Sequence, residues 1–401
     1  MNTVGTAQSI RWFRGNRKAM AGSVLAHFTH DGFVDMLYVF FPIWQAQFAL
    51  SFAQVGFLKM LYSGTLAFLQ VPSSFLARRF GAGRLLVAGT LMSSVAVASY
   101  GWTSTPILLG CLLVLGGLGA SVQHPLSSTL ISTACADKEQ RRTALSIFNM
   151  SGDIGKLVFP ALAALIISRY SWPAAGRTLG LFGVAVTAVL VLLTSSAASQ
   201  GCENGAAGTR SRTGASIWKG NRPFAALVTI GILDSATRMG YLTFFPFLLR
   251  DKGAEIALTG AALSLIFAGG IAGKFVCGVL ATRVGVLRSV LVTEGMTALL
   301  IWASIVLPLG AVLVLCPVLG IALNGTSSAL YGSVPELVPE DRQNESFALF
   351  YTATIGSGAI SPFVYGFFSD MTGLVPMLVI VGMLILASLP LTLPLRGKLE
   401  G

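Results

Sequence analysis

Ala26-His27-Phe28-Thr29-His30-Asp31-Gly32-Phe33-Val34-Asp35-Met36-Leu37-Tyr38-Val39-Phe40-Phe41-Pro42 lies within the first long apolar segment of the chain. Such a segment reads as a membrane helix, yet His27, Asp31, Asp35 and Tyr38 recur three or four residues apart and therefore share one helical face. Ionisable groups at bilayer depth are costly and mark ion or substrate paths. The stretch closes on Phe40-Phe41-Pro42, and the same triplet returns as Phe244-Phe245-Pro246, 204 residues further on.

That offset holds beyond the triplet. Gly56 matches Gly260, Leu76-Ala77 matches Leu280-Ala281, and Arg79 and Gly81 match Arg283 and Gly285, all at 204 residues without a gap. Matches of Phe and Leu are common in apolar sequence, but a constant register that also aligns Pro, Arg and Gly at span ends indicates an internal duplication. His30 coincides with Asp234, and Gln70 with Lys274, so related positions in the two copies both kept polar groups.

Composition agrees with a polytopic membrane protein. Of 401 residues, 54% are hydrophobic and 11% charged, with a mean hydropathy of +0.75, which excludes an ordinary soluble domain. Twelve apolar segments of about 20 residues fall between residues 19 and 395. The one long polar connection divides them six and six. The domain reading is a cytoplasmic N-terminal segment (1–18), a six-helix bundle (19–196), a cytoplasmic linker (197–222), a second six-helix bundle (223–395) and a cytoplasmic tail (396–401). The fold class is all-α.

The formal charge of +11 would suggest nucleic acid in a soluble chain; here it reports orientation. Nineteen of the 27 Lys and Arg residues fall on the side of the N terminus, among them Arg78, Arg79, Arg141, Arg142 and Arg283. Only Arg169, Arg177, Arg250 and Lys252 fall on the other. Both termini are expected in the cytoplasm, and the lipid bilayer, rather than nucleic acid, is the expected surroundings. The five cysteines form no CxxC pair, so neither a disulfide framework nor a zinc site is expected. No GxxxxGK[ST] loop occurs, so no nucleotide or other cofactor is expected and active transport must draw on an ion gradient.

At this point the chain resembles the major facilitator superfamily, whose two six-helix halves enclose a central cavity. The loop signature of that family, roughly GxxxDRxGR, is similar to Ser74-Phe75-Leu76-Ala77-Arg78-Arg79-Phe80-Gly81-Ala82-Gly83-Arg84, with Ser74 in place of the glycine and Arg78 in place of the acid. A second copy runs from Gly278 to Gly285, and a GxxxDxxG echo stands at Gly366, Asp370 and Gly373. Within the superfamily, His27 and Asp31, the stretch Gly117 to Pro125, and Gly152-Asp153-Ile154-Gly155 with Pro160 resemble the fosmidomycin resistance type of efflux transporter. The resemblance implies alternating access, with Arg79, Gly81, Arg283, Gly285, Pro160 and Pro362 serving conformational change. It also implies a bacterial inner membrane location, a small-molecule substrate and protons as partners; a monomer is the default.

The intramembrane acids can be paired with cations by depth. Asp153 and Lys156 are i,i+3 neighbours, and Asp234 and Arg238 are i,i+4 neighbours. Asp35 and Lys59 each lie ~9 Å inside their outer span ends, and Glu294 and Lys274 each ~10–12 Å from their inner ends. Asp31 is left over. A buried carboxyl with no cation beside it prefers its neutral form, so Asp31, with His27, His30 and His124, is the expected proton-coupling group. Asp35, Tyr38, Gln123, Asp153, Lys156, Asp234, Arg238 and Asn324 are the substrate-binding candidates, with Arg238 and Lys156 suited to an anionic or zwitterionic group.

The expected function is a proton-coupled exporter, an antiporter of a small anionic or amphipathic compound or drug. A proton-coupled importer of an organic anion or siderophore uses the same fold. A membrane-embedded hydrolase or metal enzyme is the remaining alternative, since His27 and Asp31 are spaced to share one metal; no HExxH or second compact ligand motif supports it. No metal site and no enzyme activity are expected.

Overall fold

The computed structural model describes residues 17–135, 137–194 and 221–398. Most of the N-terminal segment, nearly all of the linker and the last residues of the tail lie outside these. The described chain is a succession of helices: α1 (Arg17–Phe48), α2 (Phe52–Phe80), α3 (Ala82–Ser99), α4 (Pro106–Ala120), α5 (Gln123–Ala134), α6 (Lys138–Arg169), α7 (Trp172–Thr194), α8 (Arg222–Asp251), α9 (Ile256–Val284), α10 (Val286–Val306), α11 (Leu309–Gly332), α12 (Val334–Leu337), α13 (Gln343–Thr372) and α14 (Leu374–Leu386), followed by a 3₁₀ stretch, Pro390–Leu395. Among the described residues ten helices, counting α4 with α5 and α14 with its 3₁₀ stretch as one each, are long and apolar enough to cross a membrane. The other two expected spans, α1 and α8, have the length, 32 and 30 residues, but are too polar to qualify. These are the helices that carry His27, Asp31 and Asp35, and Asp234 and Arg238.

The fourth expected span is not one helix. It ends as α4 at Ala120 and resumes as α5 at Gln123, because Pro125 has no N–H to continue the ladder and restricts the residue before it. The Ser121 carbonyl, next to this break, is the acceptor for the Ser73 hydroxyl at 3.5 Å.

Duplication is visible in the backbone. Gly81 between α2 and α3, and Gly285 between α9 and α10, both have φ of 86°, a left-handed conformation that glycine adopts without strain. α3 packs on α7 and α10 on α14, the same pairing in each half. Gln123 Nε2 donates to Thr90 Oγ1 at 2.7 Å, and Thr326 Oγ1 to Thr293 Oγ1 at 2.7 Å; both contacts span 33 residues of chain.

Two compact units emerge. One comprises the described residues of Met1–Met36, Phe68–Phe159 and Arg169–Ala206; the other comprises those of Leu37–Ala67, Pro160–Ser168 and Ala207–Gly401. The second unit thus takes in segments of α1, α2 and α6. Within it, the carbonyl of Pro362 on α13 lies where a Cβ on Gly56 of α2 would overlap it, and the carbonyl of Pro160 on α6 lies against Gly260 of α9. Gly56 and Gly260 are 204 residues apart, so the duplicated glycine serves the same close helix approach twice.

Candidate functional site

In the first unit, α1, α5 and α6 bring four ionisable side chains onto Asp31. His27 Nε2 lies 3.5 Å from Asp31 Oδ2, His30 Nε2 3.7 Å from Oδ1, His124 Nε2 3.6 Å from Oδ1, and Lys156 Nζ 3.3 Å from Oδ2. The expected cluster of Asp31 with His27, His30 and His124 therefore forms. The expectation that Asp31 is the acid left without a cation is corrected: the Lys156 ammonium reaches across the helix interface to it. Local spacing pointed only to Asp153, three residues away on α6, and helix spacing says nothing about what a long side chain reaches across an interface.

The imidazoles are held in defined orientations. His27 stacks on Phe148, with centroids 3.9 Å apart and an interplanar angle of 14°, and His124 meets both His27 and His30 edge to face at 4.8 and 5.0 Å. His27 Nδ1 lies 2.7 Å from the Phe148 carbonyl oxygen. A carbonyl only accepts, so Nδ1 carries a hydrogen and donates it. In the neutral ring this leaves the Nε2 lone pair directed at a carboxylate oxygen, and Nε2 is a buried atom with no hydrogen-bond partner among the described residues.

Burial makes an unpartnered polar atom expensive. His27, His30 and Asp31 are 2%, 4% and 5% exposed, whereas the Lys156 and His124 side chains are 33% and 38% exposed. The cluster has a closed side on α1 and an open side on α5 and α6. Gly152 on α6 makes room for it: a Cβ there would run into His27 Cε1 and Asp31 Oδ2.

His27, Asp31 and His124 present donor atoms within 4.8 Å of one another, a set that by type could hold a divalent metal. The Lys156 ammonium beside Asp31 Oδ2 already supplies positive charge to that carboxylate.

A second polar centre lies in the second unit. Asp234 and Glu294 are 5% and 1% exposed, and both interact electrostatically with Arg238 and with each other. Arg238 Nε and Glu294 Oε1 are buried atoms without hydrogen-bond partners among the described residues. Depth alone suggested Lys274 as the partner of Glu294; Asp234 and Arg238 on α8 also act on it, a proximity set by helix facing, which depth does not encode.

Other candidates make contacts within their own unit. Gln123, 2% exposed, donates its Nε2 to Thr90, while its Oε1 is buried without a hydrogen-bond partner among the described residues. Replacing Gln123 by Ala should lower stability by about 1–3 kcal/mol and leave substrate preference unchanged, measured as Tm and as relative transport of two substrates. Asn324 Nδ2 donates to Gly320 O of its own helix at 3.1 Å. Tyr38 is fully buried, with its hydroxyl 3.5 Å from Met239 Sδ and the Lys59 ammonium 4.4 Å from its ring centroid. Asp35 is buried and Asp153 half-buried. Arg79 and Arg283 are exposed, the former stacked on Phe80. Sequence reasoning missed Phe148 as the group fixing the His27 tautomer, and Gly152 as the space for the cluster. Only the Gly152–Gly155 spacing on α6 pointed toward close approach there.

The sequence profile of the Major Facilitator Superfamily matches residues 23–362 and, a second time, 227–398. The chain is similar to the fosmidomycin resistance protein of Escherichia coli strain K12, with 26% identity over 382 residues, covering 92% of this chain and 91% of that protein. It is also similar to the uncharacterized MFS-type transporter YfnC of Bacillus subtilis strain 168, 25% identical over 396 residues and covering 94% and 92% of the two chains. Among solved structures, an inward-facing, occupied bacterial homologue of the human lysosomal transporter Spinster aligns with a TM-score of 0.77 at 15% identity, over 94% of this chain and 96% of that one. A point mutant of the nucleoside transporter NupG aligns with a TM-score of 0.76 at 14% identity, over 93% and 99%.

Proposed function

The chain belongs to the major facilitator superfamily, and on that premise we propose that it is a proton-coupled exporter of small amphipathic or anionic compounds, working by alternating access between two six-helix halves. The observation that carries the reading is the Asp31 cluster, in which three imidazoles and one ammonium face a single buried carboxylate. In this reading protonation satisfies the buried side, and the partly exposed Lys156 is the group that a proton releases from Asp31.

The sign of coupling follows from what the substrate touches. A solute that takes the place of Lys156 or of the proton at Asp31 competes with protonation, and competition produces exchange, hence antiport. The Escherichia coli relative is a fosmidomycin resistance protein, which supports this direction. A substrate anion that draws Lys156 away instead makes Asp31 bind a proton together with it, which produces symport. The 3.3 Å contact between Lys156 and Asp31 favours this second reading, a proton-coupled importer of an organic anion.

Proteoliposomes of known orientation separate the two: an acid-inside gradient drives uptake of an antiporter's substrate and opposes uptake of a symporter's. A screen of phosphonates, organic acids and cationic drugs supplies the substrate. Arg238 is the recognition candidate of the second unit. Arg238→Ala should change the order of preference among the accepted compounds, with roughly ten-fold weaker transport of anionic ones, while gradient coupling persists. An unchanged order would remove Arg238 from the binding surface. The excess of Lys and Arg in the loops on the side of the N terminus supports cytoplasmic termini in a bacterial inner membrane.

A further inference from the structure

The GxxxDxxG echo at Gly366, Asp370 and Gly373 has no part in the Asp31 cluster, yet its acid makes two hydrogen bonds to a helix far away in sequence. Asp370, near the C-terminal end of α13, accepts hydrogen bonds from the backbone N–H groups of Phe52 at 2.7 Å and Ala53 at 2.9 Å. These are the first two residues of α2. A helix leaves its first N–H groups without internal partners, and α2 fills the others locally. Gln54 N–H donates to Ser51 Oγ at 3.2 Å, and Ser51 N–H to Gln54 Oε1 at 2.9 Å, a reciprocal capping box. Asp370 completes the set from a helix some 318 residues away in sequence. Its negative charge also stands at the positive end of the α2 dipole.

Around this contact the two helices approach closely. The Pro362 carbonyl abuts Gly56, the Phe52 carbonyl abuts Gly366, and the Phe57 and Phe363 rings stand 5.8 Å apart. The duplicate interface between α6 and α9 has the Gly260 and Pro160 approach but, among the described residues, no equivalent cap. Glu255, the N-cap of α9, makes no side-chain capping bond, and Ser168, which precedes Asp370 by the same 202 residues that separate Pro160 from Pro362, donates to Leu165 of its own helix.

We propose that Asp370 is a removable helix cap that latches α13 to α2 and holds the two halves together at the ends assigned to the outer side. Opening that side strands the Phe52 and Ala53 N–H groups and the Asp370 carboxylate at once, so the latch biases the protein toward the state in which these ends touch. This rests on the alternating-access reading but on neither the coupling ion nor the substrate.

The test uses the full chain in proteoliposomes, with native cysteines replaced by serine and with Phe57→Cys and Phe363→Cys as a disulfide reporter of α2–α13 contact. Asp370→Ala should slow disulfide formation about ten-fold, the size of a lost charged cap. It should also speed amide exchange at Phe52 and Ala53, with the rest of α2 and α13 protected as before. Asp370→Asn, which keeps an acceptor without the charge, should fall between the two and decides the matter if the alanine variant fails to fold. Unchanged disulfide formation in the folded variants overturns the latch, even where the two amides exchange faster, since that result describes a local cap only. Neither readout needs substrate or a proton gradient, so failure here leaves the Asp31 reading standing, and the reverse.

Discussion

Replacing Asp31 by asparagine yields a folded protein that exchanges substrate across the membrane and no longer accumulates it against a proton gradient. The carboxylate is the only anion among the five clustered groups, and each of His27, His30, His124 and Lys156 has its nitrogen within 3.7 Å of it. Asparagine keeps the shape and one acceptor but cannot gain or lose the proton. Breaking a fully buried ion pair costs ~3–5 kcal/mol. Here the Lys156 side chain is 33% exposed and can turn toward the open side, so the stability loss should be nearer about 1–2 kcal/mol. The measurement is paired: counterflow at equal pH on both sides, retained, and uphill accumulation driven by a pH step, reduced to background. Normal uphill accumulation by Asp31→Asn would move the coupling group elsewhere.

Gly152→Ala should be nearly as damaging to transport with far less chemical change. One methyl group at this position meets His27 Cε1 on one side and Asp31 Oδ2 on the other, so α6 must retreat from α1 or the imidazole must leave the Phe148 carbonyl. Overpacking of this kind costs about 1–3 kcal/mol. The larger consequence is geometric, because the 2.7 Å bond that fixes the His27 tautomer and the contacts to Asp31 cannot both survive the shift. Gradient-driven transport should fall at least ten-fold, an expected loss that corresponds to ~1.4 kcal/mol in the transport barrier. A control at Gly64, where an added Cβ meets nothing, should leave transport and Tm alone. Equal rates for the two alanine variants would mean that the cluster tolerates displacement and is not the coupling site.

Much of the fold could be read from the chain. Twelve apolar segments, a constant offset of 204 residues and the position of Gly81 and Gly285 specify a duplicated helical membrane protein, because apolar length, helix period and left-handed glycine turns are all local properties. The cluster of His27, His30 and Asp31 was legible for the same reason, and His124 could be added from depth. Partner choice was not legible. Lys156 lies three residues from Asp153 and also reaches Asp31; Glu294 matched Lys274 in depth and also meets the charges of Asp234 and Arg238. The bond of Gln123 Nε2 to Thr90 on a second helix could not be read from its residue type either.

What the sequence by itself determined is the set of spans, their repetition and which helix carries the polar face, since these follow from residue type and spacing along one chain. What only the tertiary structure decided is how α5 and α6 rotate against α1, and α10 against α8. That rotation chooses which of several charges at one depth become neighbours, and it is fixed by close contacts such as Gly152 beneath His27, which are properties of two helices and belong to neither sequence segment alone.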